Sequence, residues 1–282
     1  MKNSRRNFIQ AVGLITAGTI HLPQFSKAGA MPPMSPKTGD VLPVGIAGYT
    51  FVKFDLDKSL AMMKRVGVQN LSLKEFHLPV DSTEEKVKAV MKQIADANVK
   101  VYAVGVIYMK TKQAVDEAFA YAKKVGVDLI VGVPNYDLLD YTEQKVKETN
   151  IRVAVHNHGP EDTLYPGPQQ VYDRIKTRDD RMGLCLDIGH ATRAGTNLVK
   201  AIKEYRSRLF DLHIKDVTAA EKDGKAIEIG RGVIDFKAVI EALRKIDYKG
   251  YCSIEFEKDM SDPLPGIAES IGYFKGAMAS SK

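Results

Sequence analysis

The residues able to do chemistry in this chain gather after short apolar runs. Of its six histidines, His21 lies near the N-terminus. The other five, His77, His156, His158, His190 and His213, each stand at or just beyond the carboxyl end of a run that reads as a β-strand. Histidines kept for structure would scatter over helices and both ends of strands. The runs end in Ala154-Val155-His156-Asn157-His158, Leu186-Asp187-Ile188-Gly189-His190, Leu212-His213-Ile214-Lys215-Asp216 and Ile254-Glu255-Phe256-Glu257. Side chains alternate along a strand, so each end can aim residues of one parity inward. His156, Asp187, His213 and Glu255 then form a mixed nitrogen and oxygen set from four neighbouring strands. Such a set suits one divalent Mn, Zn, Co, Fe or Ni ion better than Ca²⁺. A cation also accounts for acids placed where an unpaired charge is costly. Taken singly, each of the four reads equally as a hydrogen-bonded buried polar group.

Positioning these residues requires a regular scaffold. Strands are expected at Val44–Gly48, Asn70–Leu73, Lys100–Val106, Leu129–Val133, Arg152–His156, Met182–Asp187, Leu209–Ile214 and Tyr251–Ile254. Amphipathic stretches follow at 57–66, 83–97, 112–125, 138–149, 168–177, 196–206, 235–246 and 266–278. Strands alternating with helices demand a parallel sheet. Eight units within one domain's length predict an α/β fold, a single (β/α)8 TIM barrel over 43–282, rather than an open doubly wound sheet. Barrel active sites occupy the carboxyl face, where the histidines fall. Gly67, Gly126 and Gly250 follow helical runs and are expected as left-handed caps. Residues 217–232, with Asp223-Gly224, predict a hairpin over the barrel mouth.

The N-terminus reads as an export signal. Ser4-Arg5-Arg6-Asn7-Phe8-Ile9 is a twin-arginine pattern, an apolar stretch too short to span a bilayer follows, and Ala28-Gly29-Ala30 offers small residues for cleavage. This predicts a leader at 1–30, a linker at 31–42 and a periplasmic destination, with no membrane partner after leader removal. The formal charge of +6 includes four basic residues and no acid within 1–30, so the remainder carries only +2. That balance, with no basic run, argues against a nucleic-acid partner. Nothing in the sequence signals an oligomer. Cys185 shares inward parity with Asp187, Cys252 has outward parity, and a strand separates them. Both are expected as buried free thiols.

Asp187-x-Gly-His190, His213-x-Lys215-Asp216, Gly230-Arg231-Gly232-x-Ile234-Asp235 and Glu255 resemble, in this order, the xylose isomerase-like superfamily of sugar isomerases and epimerases. The resemblance implies a metal on Asp187, His213 and Glu255, with His190 and Arg231 near substrate oxygens. It also implies a glutamate at the end of the fifth strand, where this chain has His156. The expected chemistry is proton abstraction next to a carbonyl of a small-molecule sugar or keto-sugar, with Glu255 as base, His156 or His158 as acid partner, and Lys215 near the developing charge. A salt bridge is the alternative role for Lys215. Lys74, Glu75 and His77 are candidates for distal hydroxyls or for a solvated loop. Tyr49 and Phe51 are candidates for an apolar wall or for core or rim packing. Isomerisation or epimerisation is the leading expectation. With one glutamate replaced, β-elimination from a 3-keto-glycoside is the rival. A sugar-binding barrel without turnover and a DNA-repair nuclease are the remaining alternatives.

Overall fold

The computed structural model describes residues 41–281. The predicted leader, and the predicted linker up to residue 40, lie outside the described residues. Eight parallel strands close into a barrel: β1 Val44–Ala47, β2 Asn70–Leu73, β3 Lys100–Met109, β4 Leu129–Pro134, β5 Arg152–His156, β6 Met182–Asp187, β7 Leu209–Ile214 and β8 Cys252–Ile254. Each strand pairs with the next in sequence, and β8 returns to β1 with Ile46 opposite Ile254. Closure excludes the open-sheet alternative. The register sets His156 opposite Cys185 and Asp187 opposite His213, so the chemistry-bearing ends of β5, β6 and β7 lie side by side.

The outer helices are α1 Leu56–Val66, α2 Glu84–Asp96, α3 Lys112–Val125, α4 Leu139–Thr149, α5 Pro168–Ile175, α6 Ile188–Arg193, α7 Leu198–Glu204, α8 Phe236–Lys245 and α9 Leu264–Ser280. Asp55, Thr83, Thr111, Asn197 and Asp235 cap their helices by accepting the backbone N–H three residues on. Gly67 and Gly126 are left-handed caps as expected. Gly250 is not: α8 ends at Lys245, the chain turns at Asp247 with φ 53°, and Gly250 comes after the turn. Helix α6 was not foreseen, because six residues directly after a strand carry too little periodicity to read.

The predicted hairpin is present as Asp216–Val217 paired antiparallel with Ala226–Ile227. Asp216 organises the loop beyond the hairpin. Its carboxylate accepts from the N–H groups of Gly230, Gly232 and Ile234. A Cβ at Gly232 would stand 2.2 Å from Asp216 Oδ1. The Gly-Arg-Gly pattern is therefore the imprint of a loop folded around one carboxylate. Cys185 and Cys252 are both free and buried, as parity and strand spacing predicted. Phe51 corrects the apolar-wall expectation: it is wholly enclosed in the core.

Candidate metal centre and its surroundings

The ends of β5 to β8 bring His156, Asp187, His213 and Glu255 together. One donor atom from each lies within 4.8 Å of every other, and all four residues are buried. His156 Nε2 is 3.2 Å from His213 Nδ1 and 3.6 Å from Asp187 Oδ2, and His213 Nδ1 is 3.3 Å from Glu255 Oε2. Tetrahedral donors around a first-row ion at its usual bond lengths stand about 3.4 Å apart. The cluster thus has both the donor types and the spacing of a single-ion site. His156 Nδ1 and His213 Nε2 have no hydrogen-bond partner, whereas the opposite nitrogens of the two rings face one another and the carboxylates of the cluster.

Local sequence explains the geometry. Asp187 divides its work: Oδ1 accepts from the His190 N–H at 2.8 Å and caps α6, leaving Oδ2 for the cluster. The Asp-x-x-His spacing is this cap, and it returns His190 over the carboxylate, with Nε2 4.0 Å from Oδ2. Asn157 clamps the two strand ends, donating to the Asp187 carbonyl at 3.1 Å and accepting the Asp187 N–H at 3.0 Å. Gly189 leaves room for Lys215, whose Cγ would lie 2.3 Å from a Cβ there.

Lys215 has the parity expected of it and takes the salt-bridge role. Its ammonium is 3.1 Å from Asp187 Oδ2, 2.8 Å from Glu255 Oε2 and 3.0 Å from Glu257 Oε2. Burial opposes the charge on Asp187 and Glu255. It is outweighed at Asp187 by His190 and Lys215, and at Glu255 by Lys215 and His213, so both carboxyls stay well below their ordinary range. Glu257 is pushed up by burial. His156, fully enclosed, is pushed down to about 3 by burial and His190 to about 4 by the same cause, so both imidazoles are neutral at pH 7.

An outer ring surrounds the cluster. The His158 ring lies 4.7 Å from His156, hydrogen-bonds the Tyr108 hydroxyl through Nε2 at 2.9 Å, and faces Asp162 through Nδ1 at 3.5 Å. Arg193 lies 3.2 Å from His190 Nδ1, pairs with Glu161 at 3.0 Å and donates to the Lys222 carbonyl. It thereby ties the β5 loop, α6 and the hairpin loop together. Tyr108, Arg193 and Glu257 went unrecognised in the sequence. Glu257 alone had a readable signal, sharing parity with Glu255 two residues earlier.

The other candidates separate. Tyr49 lies exposed on the rim, and half-exposed Glu75 pairs with Lys74 at 2.8 Å. Lys74 is buried and donates to the Val106 carbonyl, so it is not part of a solvated loop. Arg231 turns outward, exposed, and pairs with Glu269 on α9 at 2.7 Å. It is not brought to the cluster, because the Asp216-centred loop fixes its direction. His77 is buried, with Nε2 3.0 Å from the Phe54 carbonyl and 3.2 Å from Ser59 Oγ, which makes it a brace for the β2 loop.

Burial holds His77 below the ordinary histidine range, so the folded protein keeps it neutral while the unfolded chain protonates it below about pH 6.5. The stability tied to it is present above that pH and lost as pH falls. His77→Gln is expected to flatten the loss of stability between pH 7 and 5, by less than about 1.4 kcal/mol per pH unit. Urea unfolding of both proteins across that range checks this; identical slopes would refute it.

A closed eight-strand barrel carries at its carboxyl rim one compact set of nitrogen and oxygen donors that could hold a metal ion. The chain belongs to the xylose isomerase-like TIM barrel family, whose model matches residues 47–277. It is similar to an inosose dehydratase from Lacticaseibacillus casei, 26% identical over 146 residues, 45% of this chain and 47% of that protein. The chain thus matches about half the length of that relative. Its fold is similar to that of a zinc-bound IolI protein, with TM-score 0.71 and 18% identity over 86% of this chain and 99% of the other. It is also similar to that of a 3-keto-D-glucoside 4-epimerase from E. coli, with TM-score 0.64 and 16% identity over 84% of this chain and 100% of the other.

Proposed function

We propose that this chain is an exported, metal-dependent enzyme that removes the proton beside the carbonyl of a keto-sugar and expels the substituent one carbon further on. The observation that carries the proposal is the pairing of Glu255 with His156 across the cluster. Glu255, directly after β8, has a carboxyl held well below its ordinary range by Lys215 and His213 against its burial. The β5 position opposite it is a neutral imidazole pushed down to about 3. Exchanging a proton between two carboxylates on opposite faces of one carbon is then not available. One-sided abstraction by Glu255 followed by loss of a leaving group is.

His156, Asp187, His213 and Glu255 would hold a divalent cation, which would supply Lewis acidity toward a bound carbonyl. The Lys215 ammonium adds fixed positive charge beside that carbonyl. His190, oriented by Arg193, and His158, oriented by Tyr108 and Asp162, face the substrate side and position its hydroxyls. Elimination from a cyclic ketone is in keeping with the inosose dehydratase relative, and a keto-glucoside ring with the 3-keto-D-glucoside epimerase neighbour. Isomerisation or epimerisation shares the first step and is the second reading, supported by that same neighbour.

Incubation of the metal-loaded protein with a 3-keto-glycoside in D₂O tests the proposal. Release of the aglycone with an unsaturated ketone is the expected result. Recovery of a deuterated isomer without release would replace elimination by epimerisation. Metal binding with neither outcome, across a panel of keto-sugars, would reduce the chain to a sugar-binding barrel. Export is tested separately: the mature protein should be periplasmic and begin near residue 31, and Arg5→Lys with Arg6→Lys should hold it in the cytoplasm.

A further inference from the structure

The mouth of the barrel has two unlike halves. The ends of β5 to β8 carry the histidines and carboxylates of the cluster, together with Lys215. The ends of β1, β2 and β3 carry Tyr49, Phe76 and Tyr108, exposed by 38%, 38% and 50%. These are three of the six large apolar side chains exposed among the described residues, and they follow three adjacent strands on the same face. Single exposed apolar residues are ordinary, but three at adjacent strand ends beside a polar site have the placement of a binding surface.

Three features connect this half to the cluster. Tyr108 reaches across to His158, with the two rings stacked at 5.6 Å and 15°. The Tyr108 hydroxyl is pushed up by burial and also by the charges of Asp162, Glu255 and Glu75 and by Tyr49, which places both halves within one electrostatic field. Glu75, one residue before Phe76, is anchored by buried Lys74 through Oε1 and keeps Oε2 without a hydrogen-bond partner. Aromatic faces beside a hydrogen-bond acceptor suit a ring with an apolar face and polar edges. Three strand ends span about 10 Å, the room one further ring needs.

We infer that Tyr49, Phe76 and Tyr108 form a subsite for the aglycone ring of a glycoside whose keto-sugar ring lies over the cluster. The inference rests on the proposed function and narrows its substrate class from free keto-sugars to glycosides with a ring-bearing leaving group.

The test is equilibrium binding, by calorimetry, of unoxidised phenyl and methyl glucosides to the metal-loaded protein. Neither is a keto-sugar, so turnover does not enter. The phenyl glycoside should bind about tenfold more tightly, and the phenyl-to-methyl ratio should fall to about two in Tyr49→Ala/Phe76→Ala. Tyr108→Phe, which keeps the ring, should retain most of the preference. Thermal unfolding verifies that the variants fold. Equal affinity for the two glycosides, a preference that survives the double substitution, or no measurable binding of either would overturn the subsite. A phenyl preference without proton abstraction from any keto-sugar would instead refute the proposed reaction and leave the subsite standing. Turnover of keto-sugars with no aglycone preference would do the reverse.

Discussion

Asp187→Asn is expected to empty the cluster of metal and to lower turnover by on the order of 10³-fold, because several kcal/mol of transition-state stabilisation depend on the cation. The substitution is chosen for what it leaves in place. Asparagine caps a helix about as well as aspartate, so the bond from the His190 N–H to Oδ1 persists and α6 stays formed. The volume hardly changes, and Asn157 still clamps the backbone of residue 187. What disappears is the negative charge on Oδ2, the atom that faces His156 at 3.6 Å and Lys215 at 3.1 Å. Elemental analysis after reconstitution should find less than about a tenth of an equivalent, against about one for the unchanged protein. A fully loaded variant, or one within tenfold of normal turnover, would mean that the four residues are a hydrogen-bonded core cluster and that the chemistry has been put in the wrong place.

Much of that centre is legible in the sequence, for a definite physical reason. In a parallel barrel the strand ends face one rim, and the period of two fixes which side chains turn inward. Glu255, His213, Asp187 and His156 therefore follow from strand ends and parity alone. The strands themselves stand out as short apolar runs between amphipathic helices, and their ends moved by at most three residues. What escaped is what depends on loop geometry. Tyr108 lies beyond the expected end of β3, because that strand runs on to Met109. Arg193 belongs to α6, which periodicity could not reveal. Arg231 illustrates the opposite failure. Its place in a recurrent pattern suggested a substrate contact, whereas the pattern exists because Asp216 gathers the surrounding N–H groups, and the side chain is turned toward Glu269. Lys74 lies in a loop and was open to being a solvated residue, yet the Val106 carbonyl and Glu75 give its ammonium buried partners that no periodicity discloses.

Lys215→Met is expected to destabilise the metal-free protein by about 3–5 kcal/mol and the metal-loaded protein by much less, because removing one partner of a buried charge network strands the others. The ammonium lies 3.1, 2.8 and 3.0 Å from Asp187, Glu255 and Glu257. Methionine fills its volume but removes the one ammonium the three carboxylates share, leaving His213 beside Glu255 and His190 beside Asp187. A cation bound at the cluster would neutralise Asp187 and Glu255, and Glu257 still reaches solvent. Urea unfolding with chelator and then with saturating metal should show the gap between the two states widen in the variant. The pH dependence should change sign as well. With Lys215 present, Asp187 and Glu255 sit below their unfolded values, so their contribution is full above about pH 4 and is lost as pH falls through the folded values. Without it, burial and mutual repulsion raise the folded values, and the metal-free variant loses stability as pH rises through them. A variant equally destabilised with and without metal, and whose stability falls on acidification as the parent's does, would show that Lys215 only fills space and that the carboxylates do not share one cation.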